Sequence, residues 1–467
     1  MVDLRAGVQM IEPAAGLARL AQFPFQLLTW VAEDGYPVSA AIEADVDAAA
    51  GTVSFLPPAG FALPLDGELS LTGSHIRPQP GVGYDERRHV TVWGRASATA
   101  AERISFRAHA AWGWDESDIP FPEYVERQVG QSRRYLARLS GELGRTVRPR
   151  LSLGWLILRS TRLPFLSATF VPVLVGIAIA ALHGFFEPLT ALITLVGAAA
   201  AHLAINVTND VFDARLGADE KNVNPTQYSG GSRVIQYGLV SLRAMALIAA
   251  GCYAVTIAAG LLLLWLRPSP ELLGIGVVGV LIGLFYTAPP LKLVYRGLGE
   301  IAVALGFGPL MLLGAYVVQS GGPIAVEPIV ASLPIALLVA LILYANEVPD
   351  RSGDERAGKL TLPVRLPKPT VISLYYALAL AAFAIIGGGV LAGVLPIPAL
   401  VALLPLPLAL RVRDGLTAHY DQPYALMGYL GVNVKLHLYV GGLLLAAYLA
   451  VLAVAALAPG VPLFLWR

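Results

Sequence analysis

Cysteine is nearly absent from the sequence, because Cys252 is the only one in 467 residues. It lies inside an apolar run, so the chain can form neither an intrachain disulfide nor a metal cluster held by several thiolates. An excess of charge of one sign is also lacking, since 33 lysines and arginines balance 32 aspartates and glutamates. The net charge of +1 gives no electrostatic reason to expect nucleic-acid binding.

Charged residues of either sign are scarce, at 14% of the chain, whereas 56% of it is hydrophobic. With a mean hydropathy of +0.64, the chain is too apolar for an ordinary soluble enzyme and is expected to be a membrane protein. Charges are regularly spaced over about the first 150 residues, but beyond Phe165 they fall almost entirely between apolar runs. We therefore expect two domains, a soluble one over residues 1–150 and a membrane domain over residues 151–467.

Short β-like runs separated by turn signals fill the first domain. They predict a small β-barrel with strands near residues 25–31, 38–42, 52–56, 68–71 and 89–96. An amphipathic pattern from Phe121 to Leu143 predicts a helix after the strands. The N-terminus lacks the basic start and continuous apolar core of a signal peptide, so this domain is expected to stay in the cytoplasm.

About nine apolar runs follow Pro164, near 165–186, 188–206, 242–266, 272–287, 298–318, 328–346, 371–394, 397–410 and 434–457. Most approach the roughly 20 residues that cross a bilayer core of about 30 Å. The fourth and eighth runs are short, and Pro405 and Pro407 lie in the eighth. The predicted fold class is thus a small split β-barrel joined to an all-α membrane bundle of about nine transmembrane helices.

Lysine and arginine are concentrated in alternate connections between the apolar runs, as from Arg215 to Arg243 and from Arg351 to Lys368. The other connections contain only Arg267. By the positive-inside rule, the basic side faces the cytoplasm. The sequence thus predicts a multi-pass protein of the cell (inner) membrane, with its first domain inside and its C-terminus outside.

Two acidic motifs follow apolar helices at similar spacing. Asn206, Asp210 and Asp213 stand at i, i+4 and i+7, and Asn346, Asp350 and Asp354 stand at i, i+4 and i+8. If each helix continues through its motif, the oxygen-bearing side chains share one face and would attract a hard cation such as Mg2+, completed by a substrate phosphate. A solvated helix end is the alternative interpretation for one motif, but two copies make it a poor one.

A transporter is the natural alternative for a multi-spanning protein with acidic residues. Transporter carboxylates usually lie near the bilayer midplane beside a substrate path. Here the acidic residues cluster at the predicted cytoplasmic ends of spans, with lysine and arginine among them. This arrangement is better suited to a phosphate group at the membrane surface.

Three stretches then carry a resemblance to a known family: Asn206, Asn209, Asp210, Asp213, Gly217 and Asp219; Asn346 to Thr361; and the basic loop from Tyr286 to Glu300. Over roughly 300 residues, the chain resembles the UbiA-superfamily intramembrane prenyltransferases. The glycine-rich stretch Ser229 to Arg233 and the sequence Tyr295 to Glu300 are most similar to its menaquinone-pathway branch. Pro349 departs from the pattern, and because proline removes a backbone donor and kinks helices, it leaves the ligand set of the second motif open.

The resemblance implies Mg2+-dependent transfer of a polyprenyl group from polyprenyl diphosphate to an aromatic acceptor, most closely 1,4-dihydroxy-2-naphthoate. The alternative acceptors are 4-hydroxybenzoate, homogentisate and glycerol phosphate. The implied metal ligands are Asn206, Asp210, Asp213, Asn346, Asp350 and Asp354. The four aspartates would act in catalysis together with Lys292 and Arg296. Substrate would be bound by Asn209, Asp219, Lys221, Arg233, Tyr286 and Lys359, although anchoring a helix end at the membrane surface is the alternative role for Tyr286.

The first domain carries a second resemblance. Residues 28–37, 53–55 and 90–96 are similar to the split β-barrel of the pyridoxamine 5'-phosphate oxidase-like flavin-binding proteins. The likeness implies FMN held by basic side chains, for which Arg87, Arg88 and Arg95 are candidates, and a homodimer that completes the flavin site. The alternatives are a solvated strand edge for the arginines, and a docking, regulatory or stabilising role for the domain.

Overall fold

The structure is a computed structural model. It describes residues 10–466 except 33–35, 66, 80–82, 99–101, 120, 148–151, 223–225, 227, 229 and 459. The chain divides into two compact units, Met1–Val147 and Arg148–Arg467.

The first unit contains an antiparallel sheet of eight strands. These are β1 Met10–Ile11, β2 Gln26–Val31, β3 Pro37–Ile42, β4 Ala44–Asp47, β5 Thr52–Phe55, β6 Glu68–Gln79, β7 Gly83–Ala98 and β8 Ile104–Asp115. Hydrogen-bonded neighbours follow the order β3-β2-β6-β7-β8-β5-β4, and β1 pairs with β8. Among the described residues, the outer strands β3 and β4 do not pair, so the sheet is an open half-barrel, whereas the strand pattern predicts a small barrel.

One face of this sheet carries the hydrophobic core of the first unit. In β2, Leu28 and Trp30 are buried whereas Val31 is exposed, because successive side chains of a strand point to opposite faces. Leu17 and Leu20, from the short helix before β2, pack into the same core. The alternation of buried and more exposed residues along β2 therefore places the core on one face of the sheet.

Fifteen α-helices are found among the described residues. They are α1 Pro13–Leu20, α2 Phe121–Glu142, α3 Leu153–Thr161, α4 Ser167–Leu182, α5 Pro188–Leu216, α6 Ala218–Lys221, α7 Leu242–Leu266, α8 Pro270–Phe285, α9 Gly299–Leu305, α10 Met311–Ser320, α11 Val326–Ala357, α12 Leu362–Arg365, α13 Lys368–Leu391, α14 Leu406–His419 and α15 Pro423–Leu457. Helix α2 confirms the helix predicted after the strands. A π-helical segment, Gly306–Leu310, joins α9 to α10.

Within the described residues, six helical segments are long and apolar enough to cross a membrane: α5, α7, the segment Gly299–Ser320, α11, α13 and α15. Helices α4 and α8 are apolar but have only 16 residues each. The predicted eighth span is not one α-helix, because the 3-10 helix Ile397–Leu403 gives way to α14 at Pro405. Helix length therefore confirms a multi-pass bundle but not the predicted count of nine.

Side-chain contacts show which helix ends meet. At one end, here called the motif end, Lys359 after α11 lies 3.4 Å from Asp213 near the end of α5. Tyr295, which follows α8, donates its hydroxyl to the same aspartate at 2.8 Å. At the opposite end, His183 after α4 lies 3.0 Å from Glu327 at the start of α11. Helices α5, α8 and α11 thus all finish at the motif end.

Candidate functional site

A cavity of about 620 Å³ lies inside the helical unit. Apolar residues of α5, α7, α8, α10, α11 and the π-helical segment form most of its wall. Most of its polar lining comes from the motif end, and includes Arg162, Asn206, Asn209, Asp213, Asp219, Asn222, Asn346, Glu347, Asp350, Asp354 and Lys359. The cavity is therefore largely apolar along its length and charged at one end.

The first acidic motif lies on an unbroken helix. Helix α5 continues to Leu216 and ends at Gly217, whose φ of 76° is the left-handed geometry that glycine adopts readily at a helix end. The spacing i, i+4 and i+7 therefore places the motif side chains on one face, as predicted. Asp213 accepts hydrogen bonds from the Tyr295 hydroxyl at 2.8 Å and from Asn209 Nδ2 at 3.1 Å. Burial and the Asp213 carboxylate raise the pKa of Tyr295, so its hydroxyl stays protonated and donates.

The second acidic motif also lies on one helix, because α11 continues through Pro349 to Ala357. The proline removes one backbone donor without ending the helix, and the i, i+4, i+8 spacing is kept. Asp350 accepts from Asn222 Nδ2 at 2.7 Å and from the backbone N–H of Gly230 at 2.8 Å. The loop that follows the first motif therefore folds onto the second.

Lys359 joins the two motifs directly. Its Nζ lies 3.4 Å from Asp213 Oδ2 and 3.7 Å from Asp354 Oδ1, and its side chain is only 13% exposed. The chain turns at Gly358, where φ is 74°, and the Lys359 N–H donates back to the Asp354 carbonyl at 2.8 Å. Burial opposes a charge here, but the two carboxylates outweigh it and hold the pKa of Lys359 well above its ordinary value.

Arg162 is a site residue that the sequence interpretation missed. Its guanidinium lies 2.5 Å from Asp210 Oδ1. Burial opposes this charge too, but the carboxylates of Asp210, Asp219 and Asp213 raise the pKa of Arg162 above its ordinary value. Its position just before the first apolar run, on the same side as both motifs, was the available signal.

The glycine-rich stretch packs against the first motif, although Ser229 lies outside the described residues. A Cβ on Gly231 would lie 3.0 Å from Asp219 Oδ1 and 3.3 Å from Asp210 Oδ1, and its φ is 76°. Glycine is therefore required both by the backbone geometry and by the close approach of two carboxylates. Burial, with the carboxylates of Asp213 and Asp210, raises the pKa of Asp219 well above its ordinary value.

The predicted amides and Tyr286 line the cavity. Asn209 Nδ2 donates to Thr287 Oγ1 at 3.0 Å as well as to the first motif. Asn206 Nδ2 lies 3.4 Å from the Thr161 carbonyl. Asn346 Oδ1 is buried and has no hydrogen-bond partner among the described residues.

Four predicted catalytic or substrate-binding cations do not line the cavity. Lys292 packs near the Tyr295 ring, and the exposed Arg296 donates to the Pro290 carbonyl at 3.2 Å. Lys221 is exposed and donates to the Arg356 carbonyl at 3.0 Å. Arg233 donates to the backbone carbonyl of Asp219. The cations that the structure brings to the aspartates are instead Lys359, which was predicted, and Arg162, which was not.

The predicted six-residue metal site is not preassembled. No group of three or more His, Cys, Asp or Glu side chains is arranged to hold a metal ion in the part of the chain that the structure describes. Asp354 Oδ2 and Asn346 Oδ1 are nevertheless among the buried oxygens of cavity-lining residues that have no hydrogen-bond partner there. All candidate donors are hard oxygens, and Mg2+ in proteins is typically held by one or two carboxylates plus substrate phosphates. The residues therefore fit Mg2+ that arrives with a diphosphate.

The three arginines proposed to bind FMN do not converge on one site. Arg87 forms an ion pair with Glu116 at 2.6 Å and stacks over Phe121 at 4.3 Å. Arg88 is its neighbour in β7 and so points to the opposite face of the sheet. Arg95 is exposed farther along the same strand. The geometry gives no support to a flavin phosphate site.

Comparison with known proteins identifies relatives of the helical unit, since residues 169–427 match the UbiA prenyltransferase family. The 1,4-dihydroxy-2-naphthoate octaprenyltransferase of Bacillus subtilis is 28% identical over 250 residues, which are 54% of this chain and 78% of that protein. The 2-carboxy-1,4-naphthoquinone phytyltransferase of Synechocystis sp. is 29% identical over 61% of this chain and 90% of that protein. The 1,4-dihydroxy-2-naphthoate octaprenyltransferase of Mycobacterium tuberculosis is 33% identical over 48% and 75%.

Among solved structures, a UbiA homolog from Archaeoglobus fulgidus bound to GPP and Mg2+ aligns with a TM-score of 0.44 at 17% identity. The alignment covers 62% of this chain and 99% of that chain.

Proposed function

Since this chain belongs to the UbiA prenyltransferase family and is thus a prenyltransferase rather than a transporter, we propose that it transfers a polyprenyl group from polyprenyl diphosphate to 1,4-dihydroxy-2-naphthoate. The observation that carries the proposal is Lys359, which joins Asp213 to Asp354 at the charged end of an apolar cavity. A substrate with an anionic head and a long apolar tail matches this division of the cavity.

The charged end is suited to the diphosphate. Asp210, Asp213, Asp350 and Asp354 would hold Mg2+ together with the buried Asn346 oxygen. When bound, Mg2+ supplies neutralising charge to the leaving diphosphate. Lys359 and Arg162 are buried cations of the protein itself, and they would contact phosphate oxygens that displace their present carboxylate partners.

The apolar wall is suited to the rest of the reaction. The allylic carbon–oxygen bond breaks with its electron pair left on the diphosphate oxygen. A carbon of the electron-rich ring then forms the new carbon–carbon bond. The ring becomes aromatic again when that carbon loses its proton to water or, if it carries the carboxyl group, loses carbon dioxide. Tyr286 and the surrounding aliphatic side chains exclude water that would otherwise capture the allylic cation.

The choice of a naphthoate acceptor is supported by the relatives in Bacillus subtilis and Mycobacterium tuberculosis, both of which are 1,4-dihydroxy-2-naphthoate octaprenyltransferases. Purified protein in lipid nanodiscs, given Mg2+ and a polyprenyl diphosphate, is expected to prenylate 1,4-dihydroxy-2-naphthoate and release diphosphate. Activity should be lost in EDTA and restored by excess Mg2+. Full activity in EDTA would contradict the metal requirement, and preference for 4-hydroxybenzoate, homogentisate or glycerol phosphate would overturn the assigned acceptor.

We also propose nine membrane passes, because the three short segments still connect opposite ends of the bundle. Helix α4 lies between Arg162, which contacts Asp210, and His183, which contacts Glu327. The broken segment 397–419 likewise leads to Asp421, which pairs with Lys368 at the start of α13. The third short segment is helix α8, which lies between α7 and the motif end. With the basic connections inside the cell, the motif end lies on the cytoplasmic side of the cell membrane.

Cysteine labelling at the two ends of α13 tests this orientation. In a Cys252→Ser background, Ala392→Cys should react with a membrane-impermeant maleimide added to intact cells, and Thr370→Cys should react only after lysis. Both positions are exposed in the structure, so a difference between them reports the side of the membrane and not burial. Labelling of Thr370→Cys from outside would show that the predicted orientation is inverted.

A further inference from the structure

His202 is a buried polar side chain on the largely apolar wall of the cavity. It is 4% exposed and lies one helical turn before Asn206 on α5, about 6 Å along the helix axis. Between Thr194 and Asn206, the other α5 residues on this wall are Gly197, Ala198, Ala201 and Ile205. The imidazole therefore lies at the boundary between the charged end of the cavity and its apolar part.

Within the described residues, one ring nitrogen of His202 forms a hydrogen bond and the other does not. Nδ1 lies 2.6 Å from the hydroxyl oxygen of Thr169, which is fully buried. Nε2 has no hydrogen-bond partner among the residues that the structure describes. When the Thr169 hydroxyl donates to Nδ1, the ring carries its proton on Nε2 and presents a donor to the cavity.

The π-helical segment Gly306–Leu310 also contacts His202. The ring of Phe307 meets His202 edge to face, with centroids 4.8 Å apart. Gly308 fixes this segment against α11, because a Cβ there would lie 2.3 Å from Ala336 Cβ and 3.0 Å from the Ser332 carbonyl. π-Helical turns are uncommon and occur frequently at functional sites. Here the turn places an aromatic ring beside the imidazole.

A donor that lines a cavity without a protein partner fits a ligand that supplies the missing acceptor. Under the proposed function, the polyprenyl tail has no polar atom to offer, and the diphosphate is bound at the carboxylates. The acceptor ring is the remaining component, and it carries hydroxyl groups. We propose that His202 and Phe307 form the acceptor subsite, in which His202 Nε2 donates to a ring oxygen and Phe307 packs against the ring.

In this subsite the hydrogen bond sets which ring carbon faces the allylic carbon. Thr169 is a positioning residue, since its hydroxyl bonds to the imidazole and fixes the tautomer of the ring. This inference rests on the proposed prenyl transfer but makes a separate claim, that the acceptor and the diphosphate are bound by different residues.

Steady-state kinetics of the nanodisc enzyme, with each substrate varied in turn, test the subsite. His202→Leu should raise the KM for the acceptor by about tenfold to a hundredfold and leave the KM for the polyprenyl diphosphate within about twofold. Thr169→Val should raise the acceptor KM less. The matched control is Thr194→Val, because Thr194 lines the same wall but its hydroxyl bonds to the Thr190 carbonyl of its own helix at 2.7 Å. It should change neither constant.

An acceptor analogue that lacks the bonded hydroxyl isolates the contact itself. With that analogue, wild type and His202→Leu should perform alike, whereas His202→Gln should partly restore the preference for the hydroxylated ring. An unchanged acceptor KM in both His202→Leu and Thr169→Val, or an equal rise for both substrates, would overturn the subsite. Failure of wild type to prenylate any acceptor would instead overturn the proposed function.

Discussion

Lys359→Met is expected to lower kcat/KM by about a hundredfold to a thousandfold, the usual cost of removing one preorganised charge that stabilises a transition state. Methionine keeps much of the length of lysine but has no ammonium group. In the structure that ammonium lies between Asp213 and Asp354, so its loss removes the direct link between the motifs and one buried cation for the leaving diphosphate. Turnover at saturating Mg2+ measures the effect.

The control for this substitution is Lys368→Met. Lys368 pairs with Asp421, is 43% exposed and does not line the cavity, so its replacement should leave turnover near that of wild type. Lys359→Arg keeps the charge with a different shape and should retain part of the activity. A melting temperature measured beside the kinetics separates loss of catalysis from unfolding. Activity of Lys359→Met within about threefold of wild type would show that the bridge is structural only.

The positions of the two acidic motifs could be predicted from local sequence because helix periodicity decides them. Asp213 and Asp354 face one cavity since α5 and α11 both continue beyond their apolar runs, the second through Pro349. Periodicity is a property of neighbouring residues, so it holds wherever the helices pack. The expectation that the motifs meet came from their repetition, and the contacts of Lys359 are consistent with it.

Pairing between distant residues could not be predicted in the same way. Arg162 and Asp210 are separated by 48 positions, and only the fold brings them together. Lys292 and Arg296 lie in the resembling loop, but its left-handed turn at Lys292, where φ is 46°, and the exposure of Arg296 keep both side chains off the cavity wall. Resemblance identifies the segment that approaches a site, whereas backbone geometry decides which of its side chains reach it.

The soluble unit shows a similar limit. Alternation of apolar residues predicts strands such as β2 and β7, but closure of a barrel depends on whether its outermost strands pair, and β3 and β4 do not pair in the described sheet. Likewise, Arg87 is basic and close to a strand as a phosphate ligand would be, yet Glu116 already neutralises it. Fold likeness alone was a weak reason to expect FMN.

Asp213→Asn is expected to have the second large effect, a loss of about a hundredfold to a thousandfold in kcat/KM and a higher Mg2+ requirement. Asparagine keeps the size of the side chain and can still accept from the Tyr295 hydroxyl. What it loses is the negative charge that holds Lys359 and would bind the metal. Kinetics as a function of Mg2+ concentration measure both consequences.

The matched control is Asp421→Asn, which neutralises an exposed aspartate paired with Arg351 and Lys368 away from the cavity. It should leave turnover and Mg2+ dependence unchanged. Because Asp213 and Lys359 contact each other, combining Asp213→Asn with Lys359→Met should cost far less than the product of the two single effects. Strictly multiplicative losses would mean that the two side chains act independently, and the bridge between the motifs would then not explain the activity.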